Sequence, residues 1–214
     1  MDISLTSPAM VVMERDTDSV DIPEIYFATE TARIAKQHGA WRFQSKLPKK
    51  TEEFRLGRLS FLYSKTVAAL IDERPELVAI EDYGFMGKGA GFYVVELTGM
   101  LKHWLWQRGI PFRLYDPQAV KQIATGKGNA DKQQMIEAAE FCIHGPGENL
   151  SKYGKAAADI ADAFFVAYLL HHELRARENP NIVPHLSDKA KRVLNRVTKS
   201  NPVNILARDF IQKA

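Results

Sequence analysis

Apolar residues of this chain recur at helical spacing in long segments, and they form short unbroken runs between those segments. Residues 51–75 carry an apolar stripe behind an acid-rich first turn, and residues 92–108 form a second such segment that ends at Gly109. Both patterns predict helices. The apolar run at 77–80 predicts a central strand buried on both faces, and 111–115 predicts another strand. This alternation predicts an α/β fold.

The beginning of the chain predicts three adjacent short strands. They lie at residues 1–4, 9–14 and 24–29, and the segment Leu5–Pro8 is the turn between the first two. Together with the two later strands they make a mixed five-stranded sheet flanked by helices.

The second half of the chain is mainly helical. Asp116-Pro117 predicts the start of a helix that runs to Ala124, and a basic glycine turn at 125–132 leads into a helix over 130–143. This order of elements predicts that Lys121, Lys127 and Lys132 lie close to one another.

An alanine-rich helix over residues 155–170 follows, with Gly154 before it. Asp159 and Asp162 are three residues apart, so their carboxylates project from one face of its first turns. Two readings remain open. Acids are common near helix starts because they offset the helix dipole. Two like charges on a mostly apolar face also favour a divalent metal site.

Two further acids stand at places where a site is expected. Glu81 directly follows the buried strand at 77–80, and active sites of open α/β sheets gather at the carboxyl ends of such strands. Asp2 lies on the first predicted strand, beside the turn.

Composition places the chain among ordinary globular proteins. It has 214 residues, of which 45% are hydrophobic and 26% charged, and its one cysteine, Cys142, is typical of a reducing compartment. We find neither a secretory signal pattern nor an apolar run of membrane length, so we expect a soluble cytoplasmic protein that does not contact a membrane.

The net charge of +3 is unevenly distributed. Residues 174–214 carry nine Lys/Arg and three Asp/Glu, a net charge of +6, which leaves −3 for residues 1–173. This asymmetry suits a polyanionic partner, and it suits plain solubility equally well.

Residues 32–50 form a basic stretch that Gly39 and Pro48 predict to be a loop or hairpin. Its aromatic residues Trp41 and Phe43 either stack on nucleic-acid bases or pack into the core; the composition favours neither. The stretch contains no acid, and its basic residues are Arg33, Lys36, Arg42, Lys46, Lys49 and Lys50.

The glycine-rich loop at 85–91 lacks the Lys-Ser/Thr ending of a nucleotide phosphate loop. We therefore expect no nucleotide cofactor.

Three motifs carry a resemblance to a known family. They are Ile80-Glu81 with Phe85-Met-Gly-Lys88, then Val120-Lys-Gln122 with Gly126–Lys132, then Ala158–Ala163. In this order, and with this order of elements, the chain resembles the ribonuclease H-like superfamily and, more closely, the RuvC-type Holliday junction resolvases. Viruses also encode enzymes that resemble this family and have relaxed substrate choice.

The resemblance implies a metal-dependent DNA endonuclease that resolves four-way junctions, acts as a homodimer and serves DNA recombination and repair. It implies two Mg²⁺ ions per site, with Mn²⁺ as a substitute. The implied metal ligands are Asp2, Glu81, Asp159 and Asp162, with Lys132 as a further catalytic group. The implied or candidate DNA-binding residues are Phe85, Lys88, Lys121, Lys127, Lys132 and Arg42.

The chain departs from the family pattern at three places. Only Met1 precedes Asp2, where the family has several apolar residues. One extra residue separates Glu81 from Phe85, so Tyr83 competes for the stacking role. A basic extension follows the matched region, and within it Val193, Leu194 and Val197 form a thin apolar stripe in the basic segment 186–199. We therefore divide the chain into a nuclease domain at 1–176 and a basic extension at 177–214.

Two other functions remain open at this point. Another ribonuclease H-like nuclease, acting on RNA–DNA hybrids or from DNA ends, would carry the acids without needing Phe85 or the turn at 126–132. A DNA-binding or assembly protein of the same fold would have an incomplete site.

Overall fold

The structure is a computed structural model that describes residues 1–4, 7–14, 24–82, 91–143, 149–179, 181 and 187–200. Within these residues the chain forms two sheets of two strands each. Strand β1 (Ala9–Val12) pairs antiparallel with β2 (Glu24–Phe27), and β3 (Val78–Glu81) pairs parallel with β4 (Phe112–Tyr115).

The predicted five-stranded sheet is not confirmed, because the predicted first strand is reduced to a bridge. Asp2 and Ala9 exchange two backbone hydrogen bonds of 3.0 and 3.1 Å. On its other side, the Met1 ammonium donates to the Ala79 carbonyl at 2.7 Å, and the Glu81 amide donates to the Met1 carbonyl at 3.0 Å. Two residues therefore connect the two sheets.

Further from this bridge the sheets separate. A cleft of about 610 Å³ lies between β1 and β3, with Met1 at its edge. Asp2 makes an isolated bridge instead of a strand, so within the described residues the two sheets do not form one continuous sheet.

The helices take the order and approximate bounds that the sequence predicts. The Thr51 hydroxyl accepts a hydrogen bond from the Phe54 amide at 3.3 Å, and the Asp116 carboxylate accepts one from the Gln118 amide at 3.0 Å. Both are N-caps, which satisfy amides that have no partner inside the helix. The longer helices are α2 (Glu52–Glu73), α3 (Gly91–Gln107), α4 (Pro117–Thr125), α5 (Lys132–Ile143), α6 (Ala157–Glu178) and α7 (Asp188–Ser200). The two caps begin α2 and α4.

The expectation of a loop or hairpin over 32–50 is wrong for its first part. Residues Ala32–His38 form a short helix, α1, which ends at Gly39 with φ of 64°. Ile34 is its buried apolar residue, so no amphipathic stripe marked this helix in the sequence. The rest of the stretch is irregular, with bends and turns, and Trp41 makes an isolated bridge to Ala28.

Strand β3 is buried on both faces, and its alternate residues face different cores. Val78 and Ile80 pack with α2 and α3, whereas Ala79 packs with the helices that follow β4. Since successive side chains of a strand point to opposite faces, this is the pattern of a sheet between two helical layers.

Helix α7 packs into the second of these layers. Val193, Leu194 and Val197 are buried in the core cluster formed with α4, α5 and α6. The predicted apolar stripe of this segment is confirmed. The division of the chain into two parts at residue 176 stays a prediction. Helix α6 continues past that position to Glu178.

A buried polar cluster fixes α7 to β4 and α6. Glu173 accepts hydrogen bonds from the Arg113 guanidinium at 3.2 and 3.3 Å and from the Tyr115 hydroxyl at 2.7 Å. Arg177 adds a contact of 2.6 Å, and Arg113 also donates to the Val197 carbonyl at 3.2 Å. Such a buried charge is tolerated because it is paired and fully hydrogen-bonded.

Among the described helices, none combines the length and apolar character that a bilayer-crossing helix needs.

Leu194→Ala should lower the free energy of unfolding by about 2–4 kcal/mol, because it removes a buried side chain from the contact between α7 and the body. Urea denaturation followed by circular dichroism measures this. Arg192→Ala, on the exposed face of the same helix, is the control and should change stability by less than about 0.5 kcal/mol. Equal effects of the two substitutions would mean that α7 does not pack as described.

Candidate active site

Two of the candidate acids come from the narrow bridge between the sheets. Asp2 is buried, at 8% exposure, and its backbone is held by the paired hydrogen bonds to Ala9. Glu81 is the last residue of β3, and its amide bonds to the Met1 carbonyl. The two carboxyl groups form a hydrogen bond with each other.

The other two acids come from the first turns of α6. A short 3₁₀ helix at Leu150–Ala156 leads into it, and Gly154 takes a φ of 59° there. This backbone conformation favours glycine, and a Cβ there would also meet Ile34 Cδ1 at 2.8 Å, so that the end of the Ile34 side chain would have to shift. Ala158 and Ala161, each directly before one of these acids, are buried, and their small side chains let α6 lie close to β1 and β3.

These elements bring the acids together. Asp2, Asp159 and Asp162 each offer a carboxylate oxygen, and these oxygens lie within 4.8 Å of one another. Glu81 joins them through its hydrogen bond to Asp2 and its electrostatic interaction with Asp162. The structure therefore brings together all four acids that the resemblance implies as metal ligands.

Burial and mutual repulsion favour the protonated forms of these groups. Burial raises the pKa of Asp2 well above its usual value, and the nearby Glu81 and Asp159 carboxylates raise it further. Burial also raises the pKa of Glu81, against the opposing effects of the Asp2 hydrogen bond, the Met1 ammonium and Lys121. Burial therefore favours the protonated form of both carboxyl groups of this pair.

Among the four acids, Asp162 gives the clearest indication that a cation or a hydrogen-bond donor is needed at the site. Burial, followed by the Glu81 and Asp159 charges, raises its pKa to about 7. Its Oδ1 is buried and, in the part of the chain that the structure describes, has no hydrogen-bond partner. An orphaned carboxylate oxygen is costly to bury unless a cation or donor satisfies it.

Asp159 is oriented by two serines that the sequence reasoning did not single out. Its Oδ2 accepts hydrogen bonds from the Ser7 hydroxyl and, at 3.5 Å, from the Ser4 hydroxyl. Burial raises the pKa of Asp159, and the Ser7 hydrogen bond and the Lys132 charge oppose that rise. The sequence places both serines at or within the predicted turn after Asp2, but no local pattern there indicates a contact with Asp159.

Two of the predicted lysines lie beside the acids. Lys121 of α4 acts electrostatically on Glu81 and Asp162, and Lys132, at the start of α5, acts on Asp159 and Asp162. In each case the lysine lowers the pKa of the acid. Lys132 is exposed and Lys121 is half-buried, so both can be reached by a ligand at the edge of the site.

The other predicted contacts lie elsewhere. Lys127 is exposed on the turn between α4 and α5. The Arg42 guanidinium is exposed and donates to the Glu30 carbonyl at 3.4 Å, away from the acids. Phe85, Lys88 and the competing Tyr83 lie outside the described residues.

The aromatic residues near Arg42 pack inward. Trp41 is half-buried against Tyr26, with ring centroids 6.1 Å apart, and Phe43 contacts Phe54 and Phe61 at 5.4 and 5.6 Å. The core reading of these two rings is therefore favoured over base stacking.

The residues fit a hard divalent cation. All candidate ligands are carboxylate oxygens, which Mg²⁺, Mn²⁺ and Ca²⁺ prefer. The orphaned Asp162 oxygen supplies an observation independent of the ligand types.

Comparison with solved structures shows the class of fold. Thermus thermophilus RuvC in complex with a Holliday junction substrate matches 79% of this chain and 93% of its own length, with a TM-score of 0.50 and 19% sequence identity. The chain therefore has the ribonuclease H-like fold of that protein, with an acidic site.

Sequence comparison identifies the family. The profile described as "Crossover junction endodeoxyribonuclease RuvC" matches residues 49–171, so the chain belongs to the RuvC family. The RuvC of Chloroflexus aurantiacus is 40% identical over 88 residues, which cover 40% of this chain and 53% of that protein. The RuvC of Zymomonas mobilis is 30% identical over 122 residues, covering 56% and 69%. The chain spans about half the length of several curated relatives that it matches.

Without divalent metal, the protein should lose stability as pH rises. The folded state keeps a proton on Asp162 up to a pKa of about 7, whereas the unfolded chain releases it near 3.8. Stability is therefore greatest below the unfolded pKa and falls as pH rises through the folded pKa. Asp162→Asn should raise the free energy of unfolding at pH 8 by on the order of 2 kcal/mol.

Urea denaturation in EDTA at pH 5 and pH 8 measures this difference. Asp72→Asn, at an exposed position of α2, is the matched control and should leave the pH dependence unchanged. An Asp162→Asn protein with the pH dependence of the wild type would contradict the burial of this carboxylate.

Proposed function

We propose that this protein is a metal-dependent, structure-selective DNA endonuclease that cuts four-way junctions by phosphodiester hydrolysis. The observation that carries the proposal is the meeting of Asp2, Asp159 and Asp162 oxygens within 4.8 Å in a chain of the RuvC family. A solved RuvC with the same fold is a complex with a Holliday junction, which supports branched DNA as the substrate.

The proposed metal ligands are Asp2, Glu81, Asp159 and Asp162, and the proposed cofactor is Mg²⁺, with two ions per site and Mn²⁺ as a substitute. Bound divalent ions supply an activated water and stabilise the leaving oxygen. The protein's part is to hold the carboxylates at fixed positions. Asp159 is oriented by Ser7 and Ser4, and Asp2 by its backbone bonds to Ala9.

Two lysines complete the site. Attack on a phosphodiester increases negative charge on an anionic centre, so cations placed beforehand beside the acids stabilise that charge. Lys132, exposed and next to Asp159, is proposed as the catalytic lysine, and Lys121 as a contact to the neighbouring phosphate. Lys127, Arg42, Phe85 and Lys88 are proposed DNA contacts.

Asp159→Asn should reduce Mg²⁺-dependent cleavage of a synthetic four-way junction by at least about 100-fold, because it removes a charged ligand and keeps the shape of the side chain. Junction binding in Ca²⁺ should be unchanged or tighter, since one negative charge near the phosphates is lost. Gel electrophoresis of end-labelled junctions measures both. Asp72→Asn serves as the control and should cut at the wild-type rate.

The same assay separates the other functions. Cleavage of RNA–DNA hybrids or of duplex ends in preference to junctions would indicate a different ribonuclease H-like nuclease. Junction binding by the wild type without any cleavage in Mg²⁺ or Mn²⁺ would indicate a DNA-binding or assembly protein with an incomplete site. Wild-type cleavage by Asp159→Asn would contradict the assignment of the acids.

We also propose that the active form is a homodimer, in which two sites cut opposing strands. The exposed face of α3 supports this. Phe92 and Trp106 are 68% and 59% exposed, Val95 and Met100 are both 37% exposed, and at helical spacing they share one side of the helix. An apolar surface of this kind on a folded protein is typical of an interface.

Gly99 lies within that face, and a Cβ built on it meets nothing within 4 Å. Gly99→Arg should therefore leave the fold intact and place a charged side chain in the interface. We expect it to convert a dimer into a monomer, as measured by sedimentation equilibrium. Phe141→Arg, at an 87% exposed position on α5, is the control and should remain dimeric. A Gly99→Arg dimer of wild-type affinity would exclude this face.

A further inference from the structure

Helix α7 lies at a fixed position beside the α4–α5 turn. Its buried side packs on α4 and α6, and the Arg113 bond to the Val197 carbonyl, 3.2 Å long, ties its second half to β4. On the outside, Arg196 forms an ion pair of 3.5 Å with Asp116, the residue that caps α4. Its position relative to the candidate site is therefore set by the core.

The outward face of α7 is cationic. Lys189, Arg192 and Arg196 are exposed, and their spacing of three and four residues places them in one row along the helix. Asp188 is the one acid of this helix, and its partner is Lys191 at 3.6 Å. The row spans about 10 Å, given the helical rise of about 1.5 Å per residue.

This row continues the basic surface that begins at the acids. A Cβ at Gly126 would overlap the Cδ, Cε and Nζ atoms of Lys189, so the lysine side chain lies directly on the turn. Gly126 has a φ of 78°, and Lys127 follows it. The turn leads to Lys132, which acts on Asp159 and Asp162. Cations thus extend from the site, across the turn and onto α7.

We propose that α7 is a second DNA-binding element, which contacts the phosphates of a duplex arm where it leaves the active site. This inference rests on the proposed function and extends it, because α7 lies beyond residues 49–171 that the family profile matches. Phosphate contacts by lysine and arginine add sequence-independent affinity that weakens as salt rises. They would position an arm without reading its sequence.

The test compares the double variant Lys189→Gln/Arg192→Gln with Lys65→Gln/Arg74→Gln, which removes the same charge from an exposed position of α2 and from the exposed residue that follows its last turn. Binding is measured in Ca²⁺ at several salt concentrations, on four-way junctions with arms of about 20 and about 6 base pairs. The α7 variant should lose about threefold to tenfold in affinity for the long-armed junction, with a salt slope smaller by about 1–2. The α2 variant should bind as the wild type does.

The outcome on short arms locates the contact. An unchanged affinity for the short-armed junction, together with loss on the long-armed one, supports binding to the arm. Equal loss on both would place α7 at the junction centre, and no loss on either would exclude DNA contact by α7; both results overturn the inference. If the wild type neither binds nor cuts junctions, the proposed function itself fails, which is a separate result.

Discussion

The repulsion among four partly buried carboxyl groups is the constraint on which the rest of this structure depends. Burial raises the pKa of each of them, and their proximity raises the pKa values of Asp2 and Asp162 further. Lysines 121 and 132 and the hydroxyls of Ser4 and Ser7 oppose this effect without cancelling it. The folded state therefore keeps protons there that an unfolded chain would release. A divalent cation would displace those protons and gain ligands that the fold has already assembled.

Burial of apolar side chains on α6 offsets the unfavourable free energy of holding these acids together. Helix α6 has alanines where it lies on the sheet, and its following residues Phe164, Phe165 and Leu169 are fully buried. The acids lie at the beginning of the helix, where the dipole favours negative charge, and the large apolar side chains lie further along. One helix thus presents the site at its first turns and anchors itself in the core with the rest.

Local patterns predicted much of this from the sequence. The three-residue spacing of Asp159 and Asp162, and the position of Glu81 after a buried run, required only helix and strand geometry. Helix α1 was missed because a single buried residue, Ile34, leaves no periodic stripe. Ser4 and Ser7 were missed because their role depends on how the turn lies against α6, which no local pattern encodes.

Contacts between residues that are far apart in the sequence also limited what could be predicted for α7 and for Glu173. The stripe of α7 was visible in the sequence, but its contact surface on α4 and α6 was not. Glu173 was not singled out, because a glutamate on a helix usually faces water. Its partners Arg113 and Tyr115 are about sixty residues earlier, on β4, and only the fold brings them to it.

The Glu173 cluster has a consequence for how the C-terminal part of this chain varies among its relatives. The acceptors of Arg113 include the Glu173 carboxylate on α6 and the Val197 carbonyl of α7. A relative without the last helix would expose this guanidinium or leave it short of an acceptor. Arginine at 113, glutamate at 173 and the terminal helix should therefore be inherited as one unit, and be lost together.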